Sequence, residues 1–312
     1  MNFRKAARRE ALAGYLLIAP AVGLFIVIGL FTVLFSIVLS FFSLPQGQLI
    51  WNAKFAGLDN FKDFLLGGNY ILSGFFRQAL VNNLWIAFAM VVIVIPLALF
   101  IAVLLERAVR GVRLFRTIFL LPMVTSSVAI YYVWQGLYDP TGSINQLLGS
   151  IGLDSWRAEN GWIGEIHTAL PAIIIAIVWG ALPHSLILFF AGLQGVDTHL
   201  YEAAEIDGAN AWQKLTRITW PILKPITVIV VIMNLNVALQ VFDQIWIMTK
   251  GGPAGATQVV NVLVYQQAFF QDGDMGVANA MGWTMFMLTF VLSLLSLKLF
   301  RDKSGGNRID QS

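Results

Sequence analysis

What most limits the fold of this chain is a set of long runs free of Asp, Glu, Lys and Arg. They cover residues 11–53, 78–105, 117–138, 166–196 and 275–297, and a sixth at 225–249 is interrupted only by Asp243. A hydrocarbon core of about 30 Å is crossed by about 20 apolar residues rising about 1.5 Å each, so every run is long enough to span one. Composition agrees, because 58% hydrophobic and 12% charged residues, with a mean hydropathy of +0.74, leave too little polar surface for a soluble body of 312 residues. The expected architecture is all-α and polytopic in one domain over 1–312. Its six predicted spans are Leu12–Phe41, Gln78–Leu105, Thr117–Leu137, Thr168–Leu193, Pro225–Met248 and Val277–Phe300.

Six spans place both ends on one side, and the basic residues say which. With the ends inside, fifteen of the twenty Lys and Arg residues fall on inner segments, as the positive-inside rule requires. That dispersal among short loops also accounts for the pI of 9.2 and argues against a nucleic-acid partner, which needs its charge on one face. The absence of cysteine excludes disulfides and thiolate metal sites, and His167, His184 and His199 are too far apart for a local metal motif. The first apolar run is longer than a signal-peptide core and lacks a small-x-small cleavage site, so it is expected to remain as a span. Pro20, Pro96, Pro122 and Pro183 lie inside spans, where each either bends its helix around a cavity or is tolerated as in any membrane helix. The segments 42–77 and 138–167, rich in Gly, Asn and aromatic residues, read as folded surface on the outer side.

The longest inner loop, Asp197–Pro221, is polar without being strongly basic. Asp197 or Thr198 can cap a short helix there, Glu202 and Glu205 sit near its positive end, and Gly208 interrupts or ends it. Ala203, Ala204 and Ala209 keep one side small. Such a helix either lies along the headgroups or receives a partner's surface.

Glu202-Ala203-Ala204, followed at fixed spacing by Asp207-Gly208 and by Ile218-x-Trp220-Pro221, resembles the EAA signature of binding-protein-dependent ABC importer permeases. It departs from the pattern at Trp220, where leucine is usual. Phe115–Pro122, Pro140–Asn145 and Phe242–Pro253 are similar to the carbohydrate-importing branch, the relatives of the maltose, lactose and glycerol-3-phosphate permeases. The resemblance implies a multi-pass protein of the bacterial inner membrane. It further implies a second permease chain, two ATPase subunits inside and a soluble binding protein outside. The loop would be the coupling helix, with Glu202, Ala203, Ala204, Asp207, Gly208, Ile218 and Pro221 at the ATPase contact, Glu202 making the charged interaction and Gly208 permitting the bend. The chain has no G-x-x-x-x-G-K-[ST] and no Gly-Lys dipeptide, so ATP and Mg are expected on the partner subunits and no cofactor on this one.

Polar groups at membrane depth are the candidates for the substrate path. Asn234, Asn236, Gln240 and Asp243 lie on the fifth span, the last three spaced i, i+4, i+7 as if on one face. Asp243 either accepts hydrogen bonds from sugar hydroxyls or pairs with a neighbouring helix. Trp179 and His184 flank Pro183, and Tyr132 lies with Tyr131 and Trp134 near the outer end of the third span; aromatic residues there serve either a sugar site or the interfacial belt. An intramembrane enzyme would need a nucleophile-base or metal constellation, which the sequence does not offer. A secondary transporter would explain Asp243 as an ion site but calls for inverted repeats, and none is evident.

Overall fold

A computed structural model of the chain describes residues 3–107, 112–270 and 272–301, with side chains for 10–106, 117–270 and 272–298. Arg4, Lys5, Arg8, Arg9, Arg107, Arg110, Arg113, Arg116, Arg301, Lys303 and Arg308, which carry most of the inner positive charge, lie outside those side chains.

Among the described residues five helices are long and apolar enough to cross a membrane: α1 (Glu10–Leu39), α3 (Tyr70–Glu106), α7 (Ile166–Leu193), α9 (Ala211–Leu239) and α12 (Met275–Lys298). A sixth span is the pair α4 (Thr117–Val124) and α5 (Ser127–Leu137), bent by 111°. Shorter helices lie between them: α2 (Asp59–Leu65), α6 (Ser143–Ser150), α8 (Thr198–Ile206), α10 (Asp243–Met248) and α11 (Val260–Phe269).

Three of these boundaries differ from the expected ones. Helix α3 begins at Tyr70 instead of Gln78, because Arg77 points outwards and a helix continues past such a residue at little cost. The third span breaks at Thr125 and Ser126. Pro122 withholds one N–H, the Thr125 hydroxyl donates to the Leu121 carbonyl at 2.9 Å, and Ser126 turns extended with ψ 128°. The fifth span is displaced as a whole, since α9 already starts at Ala211 and stops at Leu239, well short of Met248.

That last boundary is set from elsewhere in the chain. The Asn83 amide of α3 donates to the Ala238 carbonyl at 2.9 Å, taking an acceptor in the last turn of α9. The Asn83 oxygen accepts the Val260 N–H at 3.0 Å, and Asn82 donates to the carbonyls of Ala256 and Gln258 at 3.0 and 2.8 Å. These side chains are buried. Past Gln240 the chain turns through Phe242 and starts α10 at Asp243. Asn236, Gln240 and Asp243 therefore do not share one helix face, contrary to the i, i+4, i+7 expectation.

By packing the chain groups into two compact units, Met1–Tyr70 with Val264–Trp283, and Ile71–Leu263 with Thr284–Ser312. In the first, the strands β1 (Phe42–Ser43) and β2 (Lys54–Phe55) pair antiparallel, with Phe42 opposite Phe55. Asp274 caps α12 by accepting the Gly276 N–H at 2.6 Å, and its carboxylate also takes the Ser43 hydroxyl at 2.6 Å and the Leu44 N–H at 3.0 Å. Asn60 donates to the carbonyls of Ser40 and Phe42.

In the second unit α7 is the central element. The second half of α3 packs along α7, and small residues of both, Ala98 and Ala102 in α3 and Ala172 and Ala176 in α7, are buried in the same core, which is how helices approach closely when lipid offers no hydrophobic contrast. Gly192 of α7 leaves no room for a Cβ against Leu223 and Ile226 of α9. Between α5 and α7, Asn145 binds the carbonyls of Pro140 and Ala158 and accepts from the Trp162 indole, fixing this segment as folded surface. At its start the backbone and hydroxyl of Thr141 hold the Asp139 carboxyl below the usual carboxylate range. Of the three π-helical turns among the described residues, Met90–Val94 and Leu215–Thr219 each precede a proline by two residues, Pro96 and Pro221, while Phe25–Leu30 has none so close after it. At the two prolines the missing N–H re-registers the helical ladder.

Candidate functional site

The EAA segment folds as a helical hairpin. Asp197 caps α8 by accepting the His199 N–H at 3.0 Å. The helix ends on Gly208 at φ +74°, with Ala209 N–H bonded to the Ala204 carbonyl and Gly208 N–H to that of Glu205, the paired bonds of a Schellman end. A side chain at Gly208 would be strained in this left-handed conformation. Two residues on, Asn210 and Gln213 close a capping box that starts α9. The second half of the expected loop is thus already the fifth span, and Ile218 and Pro221 belong to its opening turns instead of to a surface loop.

Glu202, Ala203, Asp207 and Gly208 are exposed on α8 and its end, with Ala204 half-buried behind them. The Glu202 side chain, 69% exposed, pairs with the exposed His199 ring at 3.2 Å. Such a surface pair contributes little, so the carboxylate remains available to a partner. Two further ties went unread in the sequence. Lys214 in the first turn of α9 is buried, and its ammonium donates to Glu205 at 2.5 Å. The Tyr201 hydroxyl lies 2.8 Å from that of Thr219. Nine residues and a glycine turn separate Glu205 from Lys214, a spacing that no helical periodicity would single out.

Higher on the same helices lies a cavity of about 180 Å³ between α5, α7, α9 and α10. Its polar lining is Tyr131, His184, Ser185, Asn234 and Gln244, set among Ile177, Leu188, Val230, Met233 and Val237. The lining contains no Lys, Arg, Asp or Glu. Asn234 donates to the Ser185 hydroxyl at 3.0 Å and to the Val230 carbonyl at 2.8 Å, and Gln244 hydrogen-bonds the Tyr131 hydroxyl.

Of the expected substrate-path residues the structure brings only His184 and Asn234 together here. Trp179 packs edge-on against Trp134, with ring centroids 5.8 Å apart, and Tyr132 points away, its place taken by Tyr131. Successive residues on a helix differ by about 100° in direction, so one step along the sequence moves a tyrosine from the cavity to the outer face. Asn236 returns its amide to its own Ile232 carbonyl, Gln240 reaches Asn236 at 3.4 Å, and Asp243 is exposed at the start of α10. Among the described residues no group of three His, Cys, Asp or Glu could hold a metal.

A hairpin with an exposed acid at one end of the spans and an uncharged cavity within them suit a transport subunit driven from outside itself. Residues 95–301 match the family of binding-protein-dependent transport system inner membrane components, and the chain belongs to that family. It is a permease subunit of an ABC importer in the inner membrane, not a catalytic enzyme.

The probable ABC transporter permease protein YesP of Bacillus subtilis is 34% identical over 97% of this chain and 94% of its own length. The trehalose/maltose transport system permease protein MalF of Thermococcus litoralis is 30% identical over 95% and 96%, and the lactose transport system permease protein LacF of Rhizobium radiobacter 32% over 93% and 94%. A chain from the crystal structure of a bacterial ABC transporter that imports the acidic polysaccharide alginate shares the fold. Its TM-score is 0.77 at 22% identity, covering 97% of this chain and 100% of that one.

Proposed function

We propose that this permease forms half of the translocation path for a neutral sugar, oligosaccharide or sugar derivative. A second permease chain would form the other half, a soluble binding protein would deliver the substrate, and two ATPase subunits carrying ATP and Mg would drive transport through α8. The observation that carries the substrate class is the cavity lining. Hydroxyl, imidazole and amide groups supply donors and acceptors without a fixed charge, beside aliphatic walls that match the C–H faces of a sugar ring. The names of the maltose, lactose and arabinooligosaccharide relatives point the same way. In this reading the exposed face of α8 and its end, with Glu202, Ala203, Asp207 and Gly208 backed by Ala204, seats on the ATPase, while Ile218 and Pro221 lie in the opening turns of the span behind it.

The test begins with the binding protein, whose thermal shift against a panel of neutral and acidic sugars identifies the probe for uptake. His184→Leu then removes one hydrogen-bonding group from the cavity. A neutral hydrogen bond contributes about 1–1.5 kcal/mol, so uptake of that sugar is expected to fall roughly 5- to 10-fold in a fully assembled complex. Unchanged uptake and specificity would remove His184 from the path, and a binding protein stabilised only by acidic sugars would contradict the neutral class.

A further inference from the structure

The Glu205–Lys214 contact has an unusual distribution of burial. The Glu205 side chain is 68% exposed, whereas that of Lys214 is 8% exposed and sits in the helix that becomes the fifth span. An ordinary surface pair has both groups in water and holds little. Here the ammonium has left water, and Glu205 is the carboxylate that meets it.

The second tie, Tyr201 to Thr219, lands five residues further along α9, where the Thr219 hydroxyl also reaches the Lys214 carbonyl at 3.3 Å. The two anchor points bracket the π-helical turn Leu215–Thr219, the place where α9 would otherwise yield most readily. Without the ties, a push on α8 would be taken up by the turn at Gly208, which is exposed with open space on its side-chain face.

We propose that Glu205 and Lys214, seconded by Tyr201 and Thr219, are positioning residues that lock α8 to the base of α9 as one rigid lever. A displacement of α8 is then delivered along α9 to Val230, Met233, Asn234 and Val237, which line the cavity. This inference rests on the coupling reading of α8, and its test separates the two. If α8 does not seat on the ATPase, Glu202→Lys leaves ATPase co-purification and stimulation intact. If only the lever is wrong, Glu202→Lys disrupts them while Lys214→Met does not alter coupling.

The experiment uses the assembled importer with its binding protein. In Lys214→Met the ATPase should still co-purify, but stimulation of ATP hydrolysis by the loaded binding protein should fall on the order of tenfold, the size of a typical coupling between two sites. Lys214→Arg, which keeps the charge, should retain at least about half the stimulation. Because the chain has no cysteine, spin labels at Ile206→Cys and Ile229→Cys, both exposed, report the lever directly once partner cysteines are replaced. The lever predicts one narrow distance that moves by less than about 2 Å between nucleotide-free and vanadate-trapped states, and that broadens in Lys214→Met. An unchanged stimulation ratio in Lys214→Met, or a distance in the unmodified lever that changes with nucleotide, overturns the proposal. Should Lys214→Met fail to assemble, Tyr201→Phe removes a single hydroxyl and is judged by the same broadening, whose absence overturns it.

Discussion

Asn83→Leu is expected to destabilise the detergent-solubilised permease by about 2–4 kcal/mol in an SDS or thermal titration. An interhelical hydrogen bond in a membrane protein is ordinarily worth about 0.6 kcal/mol, because the unfolded chain in the membrane also finds partners. Asn83 is different because both of its partners are main-chain groups, the Ala238 carbonyl and the Val260 N–H, at places where helices end and begin. Leucine fills a similar volume but strands both groups in a buried site, at about 1–3 kcal/mol each. Asn236→Leu is the matched control. Its amide duplicates a bond to its own Ile232 carbonyl and takes one long, exposed contact from Gln240, so the expected change is below about 1 kcal/mol. Equal losses in the two variants would show that Asn83 does not fix the end of α9.

The same residue explains where sequence reading stopped. The apolar spans were legible because span length and hydropathy are local properties, and the helix caps at Asp197 and Gly208 were legible for the same reason. The end of α9 was not, because Asn83 lies 155 residues from the Ala238 carbonyl it occupies, and no breaker residue occurs at 239–242 to announce the stop. Extending the helix to Met248 carried Asp243 into the span and made it look like a buried carboxylate. The cavity was half legible for a related reason. His184 and Asn234 stood out as polar residues in apolar runs, but choosing Tyr131 over Tyr132 required the angle at the Thr125–Ser126 break, which sets how α5 is turned towards α7. Lys214 resembled any basic residue of an inner loop until α9 was seen to begin before it.

Glu202→Lys is expected to reduce uptake roughly 30- to 150-fold with the permease itself still folded. Glu202 is exposed and its ion pair is with a surface histidine, so the substitution costs the isolated chain little. Against a partner surface that receives a carboxylate, reversing the charge costs about 2–3 kcal/mol or more, which is the stated change in coupling. Stability titration of the variant should therefore match the parent, while the ATPase dissociates more readily and its response to the binding protein is lost. A variant that couples normally would remove Glu202 from the contact. One that unfolds would place its role inside the chain instead.

The central claim, that α8 is the surface through which a separate ATPase drives this permease, is tested most directly by a photoreactive phenylalanine derivative in place of Ala203, which is exposed beside Glu202. In the assembled importer, illumination should join this chain to the ATPase subunit, with the yield changing on ATP addition and falling when Glu202→Lys is introduced. Crosslinking to lipid alone, or to the substrate-binding protein, would contradict it.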